Sequence, residues 1–265
     1  MSLSRRRNAA CRSTTTGNRP LINVTETYIQ RLFEADEVAG AGLTRDTIRR
    51  ELGANPATVA QNVARLLESN LVDTGPRRPV VLTLLGQAQA IPVVRKHRLV
   101  ECFLVEIVGL EWPLAHQEAR RWQHVISDEV ERRVVALLSA ADTSPYGNPV
   151  PGLAALFGRR SEAVPPMERH VSLAEILHRG RTTTRIRTLS ERLQDNQPFL
   201  VHAWEIGAIP GREVEVSPGP ASVRIRTDAG CVDIGRADAV HLLVDEVDGR
   251  PYQASFARRT SEPAR

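Results

Sequence analysis

The sequence predicts a mainly α-helical chain with small β parts. Its arrangement is a winged helix-turn-helix, a helical middle and a small C-terminal β-barrel. Three observations carry that reading. Two helices joined by a glycine-containing turn occupy 44–66, followed by a hairpin with arginines at its tip. Long helical patterns then run to about residue 138. From about residue 183 the texture becomes short strands between Gly and Pro turns.

The first twenty residues, "MSLSRRRNAACRSTTTGNRP", have no apolar periodicity and are expected to form a disordered basic arm, 1–22. The bland role for the arm is solubility; phosphate contact by Arg5, Arg6 and Arg7 is the second reading. From Asn23 to Val38, Tyr28, Ile29, Leu32 and Phe33 recur at helical spacing. Thr44 caps a short helix ending near Leu52. After the turn "GAN", Asn55 is a good N-cap, and Pro56 sits where its missing N–H costs nothing. Val59, Val63 and Leu66 form the buried face of this second helix. Helix, tight turn and capped helix make a helix-turn-helix. "LVDTGPRRPVVLT" reads as strand, turn, strand, and a hairpin so placed is a wing. The winged domain is assigned to 23–84.

On the solvent face of the second helix, Asn55, Thr58, Gln61 and Asn62 suit base edges in the major groove. Arg65 on that helix, with Arg77 and Arg78 on the wing, suits phosphates. A net charge of +4 agrees with an acidic partner. With aromatics at 4%, duplex DNA is favoured over a stacking platform for single strands.

A helical domain is assigned to 85–155, with one helix over 84–108 kinked at Pro92, a second over 113–125, and a third capped by Ser127 or Asp128. A linker, 156–182, contains a short helix at 172–178. The β domain, 183–250, has strands at "TRIRTL", "FLVHAW", "EVEVS", "SVRIRT", "CVDIG" and "VHLLVDEV", and a disordered tail covers 251–265. No apolar run reaches the ~20 residues of a membrane span. Cys11, Cys102 and Cys231 are too scattered for a disulfide framework, which points to the cytoplasm.

The histidines carry the chemistry. His97 and Glu101 lie one helical turn apart, and an antiparallel second helix brings His116 towards them. Two imidazoles and a carboxylate suit Fe(II), Mn(II), Co(II) or Zn(II). A lone His/Glu pair at this spacing is more often a surface ion pair. The stretch "HQEARRWQH" (116–124) also carries Arg120, Gln123 and His124. A fixed guanidinium there opposes any cation.

Across "VRKHRLVE", "HQEARRWQHVISDEVERR" and "SPYGNPVPG" the chain resembles the diphtheria toxin repressor family of iron- and manganese-dependent transcription regulators. The resemblance implies a winged helix, a helical dimerisation and metal domain, and an SH3-like barrel. It implies a homodimer that binds palindromic double-stranded operators and represses. It makes His97, Glu101 and His116 ligands of the family's ancillary metal, Fe(II) or Mn(II) above all. It makes Arg98, Ser144 and Asn148 the holders of an anion beside that metal. The family's barrel adds a Glu and, three residues later, a Gln. Here "QDNQ" keeps Gln197 and puts Gln194 in the Glu position, with Asp195 as a substitute if the register slips.

The family's primary site, Met, Cys, Glu and His, departs here to Thr27, Arg120, Gln123 and His124. One hypothesis is that Arg120 fills the metal's place, bonding Thr27 and first-helix carbonyls, with Glu26 as its charge partner. The other is simple decay of the site. The leading function is therefore a dimeric DNA-binding regulator with metal at the ancillary site. The alternative is a metal-independent regulator answering to another effector. A metalloenzyme is disfavoured because no general acid/base partner accompanies the histidines, and a Pro-rich-peptide binder by the few aromatics.

Overall fold

A computed structural model of the chain describes residues 23–75, 78–159, 170–179 and 182–245. The predicted arm, tail and Arg77 lie outside them.

Helix α1 (Val24–Ala39) is capped by Asn23, whose side chain accepts from the Glu26 amide. Thr44 and Asn55 cap α2 (Arg45–Glu51) and α3 (Pro56–Glu68) in the same way, as their sequence positions required. Strands β1 (Val72–Asp73) and β2 (Val81–Leu82) pair antiparallel with Val72 opposite Leu82. Tyr28, Ile29 and Leu32 from α1 meet Ile48, Val59, Val63, Leu66 and Val80 in one apolar core. That core fixes the angle between α3 and the wing.

Helix α4 (Leu84–Phe103) runs through Pro92 as one helix and ends in a π turn, Leu104–Val108. From Val93 to Cys102 every residue but Lys96 is buried, so α4 is the central strut of the molecule. Helices α5 (Trp112–Trp122) and α6 (Asp128–Leu137) pack beside it, the latter tied by the buried Arg95–Glu131 pair at 2.6 Å. A short α7 (Leu153–Leu156) follows.

The segment expected to be a linker instead joins the C-terminal sheet. Residues of β3 (His170–Ser172) pair with the last strand, and α8 (Leu173–His178) packs its Leu173 and Ile176 into the sheet core. After β4 (Thr183–Leu189) come α9 (Glu191–Gln194) and α10 (Gln197–Glu205). Here "FLVHAW", expected as a strand, is helical. Asn196 caps it by accepting from the Phe199 amide, and Pro198 occupies the first turn. Those local stop-and-start signals outweigh the β-prone composition of a short apolar run. Strands β5 (Glu213–Pro218), β6 (Ser222–Thr227), β7 (Gly230–Gly235) and β8 (Leu242–Asp245) complete a six-stranded antiparallel sheet. Its order is β3-β8-β4-β5-β6-β7, an open arrangement among the described residues rather than the closed barrel expected.

The sheet is not a separate body. Trp112 of α5 and Tyr146 belong to its core, and Trp112 stacks on Trp204 with ring centroids 5.8 Å apart. This contact seats α9 and the start of α10 against α5. Among the described residues no helix is long and apolar enough to cross a membrane.

Gly86, in the first turn of α4, lies under the wing: a Cβ there would stand 2.0 Å from the Leu71 carbonyl oxygen. Gly86→Ala is expected to destabilise the winged domain by roughly 1–3 kcal/mol through overpacking, read as a lower urea midpoint.

Candidate metal centre

His97 and Glu101 sit one turn apart on α4, and α5 presents His116 to both. Three atoms converge. His97 Nε2 lies 2.8 Å from Glu101 Oε1, Glu101 Oε1 lies 2.9 Å from His116 Nδ1, and the two nitrogens are 3.0 Å apart. All three side chains are buried, at 0–1% exposure. The Tyr146 hydroxyl accepts from the His116 amide and donates to the Trp112 carbonyl, fixing the start of α5.

The donor set fits a divalent transition metal. An octahedral ion with bonds of about 2.1 Å places neighbouring ligands about 3.0 Å apart, whereas a tetrahedral one places them about 3.4 Å apart. The edges of 2.8–3.0 Å would suit three ligands of such an octahedral ion. Burial drives the His97 pKa down to about 3, so its imidazole is neutral, the form that a metal requires. Burial pushes the Glu101 carboxyl up from its ordinary value.

Arg98, expected to hold an anion, is fully buried and uses all five of its N–H groups on the chain itself. Nε and Nη2 donate to Glu191, Nη1 and Nη2 donate to Glu37, and Nη1 also donates to the Pro149 carbonyl, at 2.5–3.0 Å. Burial opposes its charge, but the two carboxylates outweigh burial and raise its pKa. Ser144 Oγ accepts from the amides of Tyr146 and Asn148, and Asn148 donates to the Leu189 carbonyl. The partners of Arg98 were not foreseen, although Glu191 and Gln194 show the Glu-then-Gln spacing three residues earlier than the register chosen. Gln194 is buried and donates to the Leu189 carbonyl; Gln197 donates to the Pro113 carbonyl. Both amide oxygens are buried without a partner.

Of the four positions expected to be a degenerate site, Gln123 and His124 belong to a polar chain that reaches α1, and Thr27 and Arg120 do not. His124 Nδ1 meets Glu26 Oε2 at 2.6 Å, and His124 Nε2 faces Gln123 Nε2 at 3.1 Å. Gln123 donates to Gln30 at 2.8 Å, and Gln30 donates to Glu34. Thr27 bonds the Asn23 carbonyl of its own helix. Arg120 does not reach Thr27: it pairs with Asp195 at 2.6 Å, and Glu26 is taken by His124. The expected contacts of Arg120 with Thr27 and Glu26 are therefore not formed; α1 is joined to the end of α5 through Gln30–Gln123 and Glu26–His124 instead. Gln123 uses its Nε2 in this polar chain, and its Oε1 is buried without a partner.

On α3, Thr58, Gln61 and Arg65 are exposed along one face, and Arg78 is exposed on the wing. Asn55 spends its side chain on the cap, and Asn62 donates to the Tyr28 hydroxyl at 3.2 Å.

A winged helix-turn-helix joined to a buried two-histidine, one-carboxylate centre defines a DNA-binding regulator of the metal-responsive class. Residues 83–152 match the family model for the metal-binding and dimerisation domain of iron-dependent repressors. The chain is 36% identical over 201 residues to the iron-dependent repressor IdeR of Mycobacterium leprae, covering 76% of this chain and 86% of the relative. It is 37% identical over 196 residues to the diphtheria toxin repressor of Corynebacterium diphtheriae, covering 74% and 85%. Among solved structures, a manganese-dependent transcriptional repressor in complex with manganese superposes with a TM-score of 0.65 at 25% identity, covering 84% of this chain and 99% of that one. The chain belongs to the diphtheria toxin repressor family, whose members are iron- and manganese-dependent transcriptional repressors rather than enzymes.

Free His titrates near 6.5, whereas folded His97 stays neutral down to about 3. Between those values His97 binds the extra proton only in the unfolded chain. The His97 contribution to metal-free stability is therefore lost as pH falls from 6.5 towards 3, while the raised Glu101 and Glu34 carboxyls act in the opposite sense. In chelator, the urea midpoint of the parent relative to that of His97→Gln is expected to fall between neutrality and pH 5, which isolates the His97 contribution.

Proposed function

We propose that the chain is a homodimeric, cytoplasmic repressor that binds a palindromic operator and is activated by one divalent ion per chain. Fe(II) or Mn(II) is the natural ion, held by His97, Glu101 and His116, with the unpartnered oxygen of Gln197 as a further ligand. The observation that carries this reading is the buried triangle with edges of 2.8–3.0 Å. The ion supplies a fixed positive charge that binds the three ligands into one unit. Co(II) and Zn(II) would enter in vitro. Arg98, assigned to anion binding by resemblance, is balanced by Glu37 and Glu191, so no added anion is needed with it.

In this reading residues 23–84 bind DNA, 85–155 carry the metal and the dimer contact, and the sheet unit begins at or before residue 170. Thr58 and Gln61 read base edges; Arg65, Arg77 and Arg78 position the protein on phosphates. Asn55 and Asn62 shape the helix and its seat more than they read sequence.

The second reading is metal-independent repression. It draws on the metal-free polar chain that already ties α1 to the end of α5.

Anisotropy titrations of operator duplex, in chelator and then with Fe(II) or Mn(II) under anaerobic conditions, separate the two. Activation by metal, lost in His116→Ala, supports the first; equal specific binding in both conditions supports the second. Arg78→Ala should weaken specific and random duplex alike and lower the salt slope by about 1. Gln61→Ala should cost about 1–3 kcal/mol on operator alone.

A further inference from the structure

Asp195 stands where three parts of the molecule meet. Its Oδ2 accepts from Arg31 Nη2 of α1 at 2.8 Å, and its Oδ1 accepts from Arg120 Nη1 of α5 at 2.6 Å. The same Oδ1 lies 3.4 Å from His116 Nε2. That nitrogen is buried and has no hydrogen-bond partner. His116 joins the triangle through Nδ1, its other ring nitrogen. Asp195 is therefore behind the ring, on the side away from the ligand atoms, and is not itself a ligand in this arrangement.

An ion on Nδ1 leaves the ring's single proton on Nε2, aimed at Asp195. A 3.4 Å approach would then tighten towards the usual 2.7–2.9 Å of a charge-assisted bond. Asp195 has little freedom to move alone. It caps the end of α9 and holds the buried Arg31, which is also pinned to Glu34 at 3.0 Å. Arg31 belongs to the helix whose Tyr28 hydroxyl bonds Asn62 of α3. The chain of contacts thus runs from the ligand ring to the DNA-reading helix.

We infer that Asp195 is a positioning residue that transmits metal occupancy at His116 to the DNA-binding unit through Arg31. The inference rests on the metal reading above. Two arrangements exist: the Asp195–His116 bond formed with metal, and an unpartnered Nε2 without it. The ion biases α1 by stabilising the first. By linkage, operator DNA must raise metal affinity by the same factor that metal raises DNA affinity.

The test compares the full-length wild type, Asp195→Asn and Arg31→Met. Mn(II) affinity is measured by calorimetry, and operator affinity by anisotropy with and without Mn(II). Wild type should gain about tenfold or more in operator affinity on Mn(II) binding. Asp195→Asn should keep Mn(II) affinity within about tenfold but lose most of that gain. Arg31→Met, which does not touch His116, should keep metal affinity unchanged and lose the gain as well; it decides the matter if Asp195→Asn does not fold. A structural role alone would weaken DNA binding equally with and without Mn(II), leaving the gain intact, and that result overturns the inference. If wild type binds no Mn(II) at the triangle, the metal reading falls and the relay with it. If wild type binds Mn(II) there without a gain for DNA, only the relay falls.

Discussion

A guanidinium with no solvent-exposed surface sets the terms for the rest of this structure. Arg98 lies at the middle of α4, and its charge is tolerable only because Glu37 of α1 and Glu191 of α9 both reach it. Removing either carboxylate would leave a buried charge partly unpaired, a loss of about 3–5 kcal/mol. Three elements from three regions are therefore held in one register. His97 is the neighbour of Arg98 in sequence, so the same clamp orients the turn of α4 that presents His97 and Glu101. The metal-type triangle is a consequence of that rigid strut.

Helix starts were legible because they are local. Asn23, Thr44, Asn55, Ser127 and Ser172 each accept from an amide two or three residues on, a bond that needs no tertiary information. The ligand triangle was legible for a similar reason: one helical turn fixes His97 against Glu101, and a short connection brings α5 back. What stayed hidden depends on long-range placement. The partners of Arg98 are 61 and 93 residues away, and Asp195 meets Arg31 across 164. No periodicity encodes such pairs. The strand β3 was missed because three residues carry too little pattern, and its identity comes from pairing with β8 at the far end of the sheet.

The role of Arg120 shows how a correct inference can carry wrong particulars. Arg120 does pair with a carboxylate, but with Asp195 rather than Glu26, and both side chains are partly exposed, at 37% and 28%. Asp195, at the end of α9, lies 75 residues from Arg120 in sequence, a separation that no local pattern could reveal.

The polar chain from Glu26 to Glu34 runs through Gln123, whose Nε2 meets both Gln30 and His124 while its Oε1 is buried without a partner. If the proposed centre at His97, Glu101 and His116 is the one ion site of each chain, that centre alone measures the ion. Occupancy of one such centre climbs from a tenth to nine tenths over roughly an 80-fold range of free metal. Two coupled centres per chain would compress that range. On the single-centre proposal, the readout of metal supply is graded rather than an abrupt threshold.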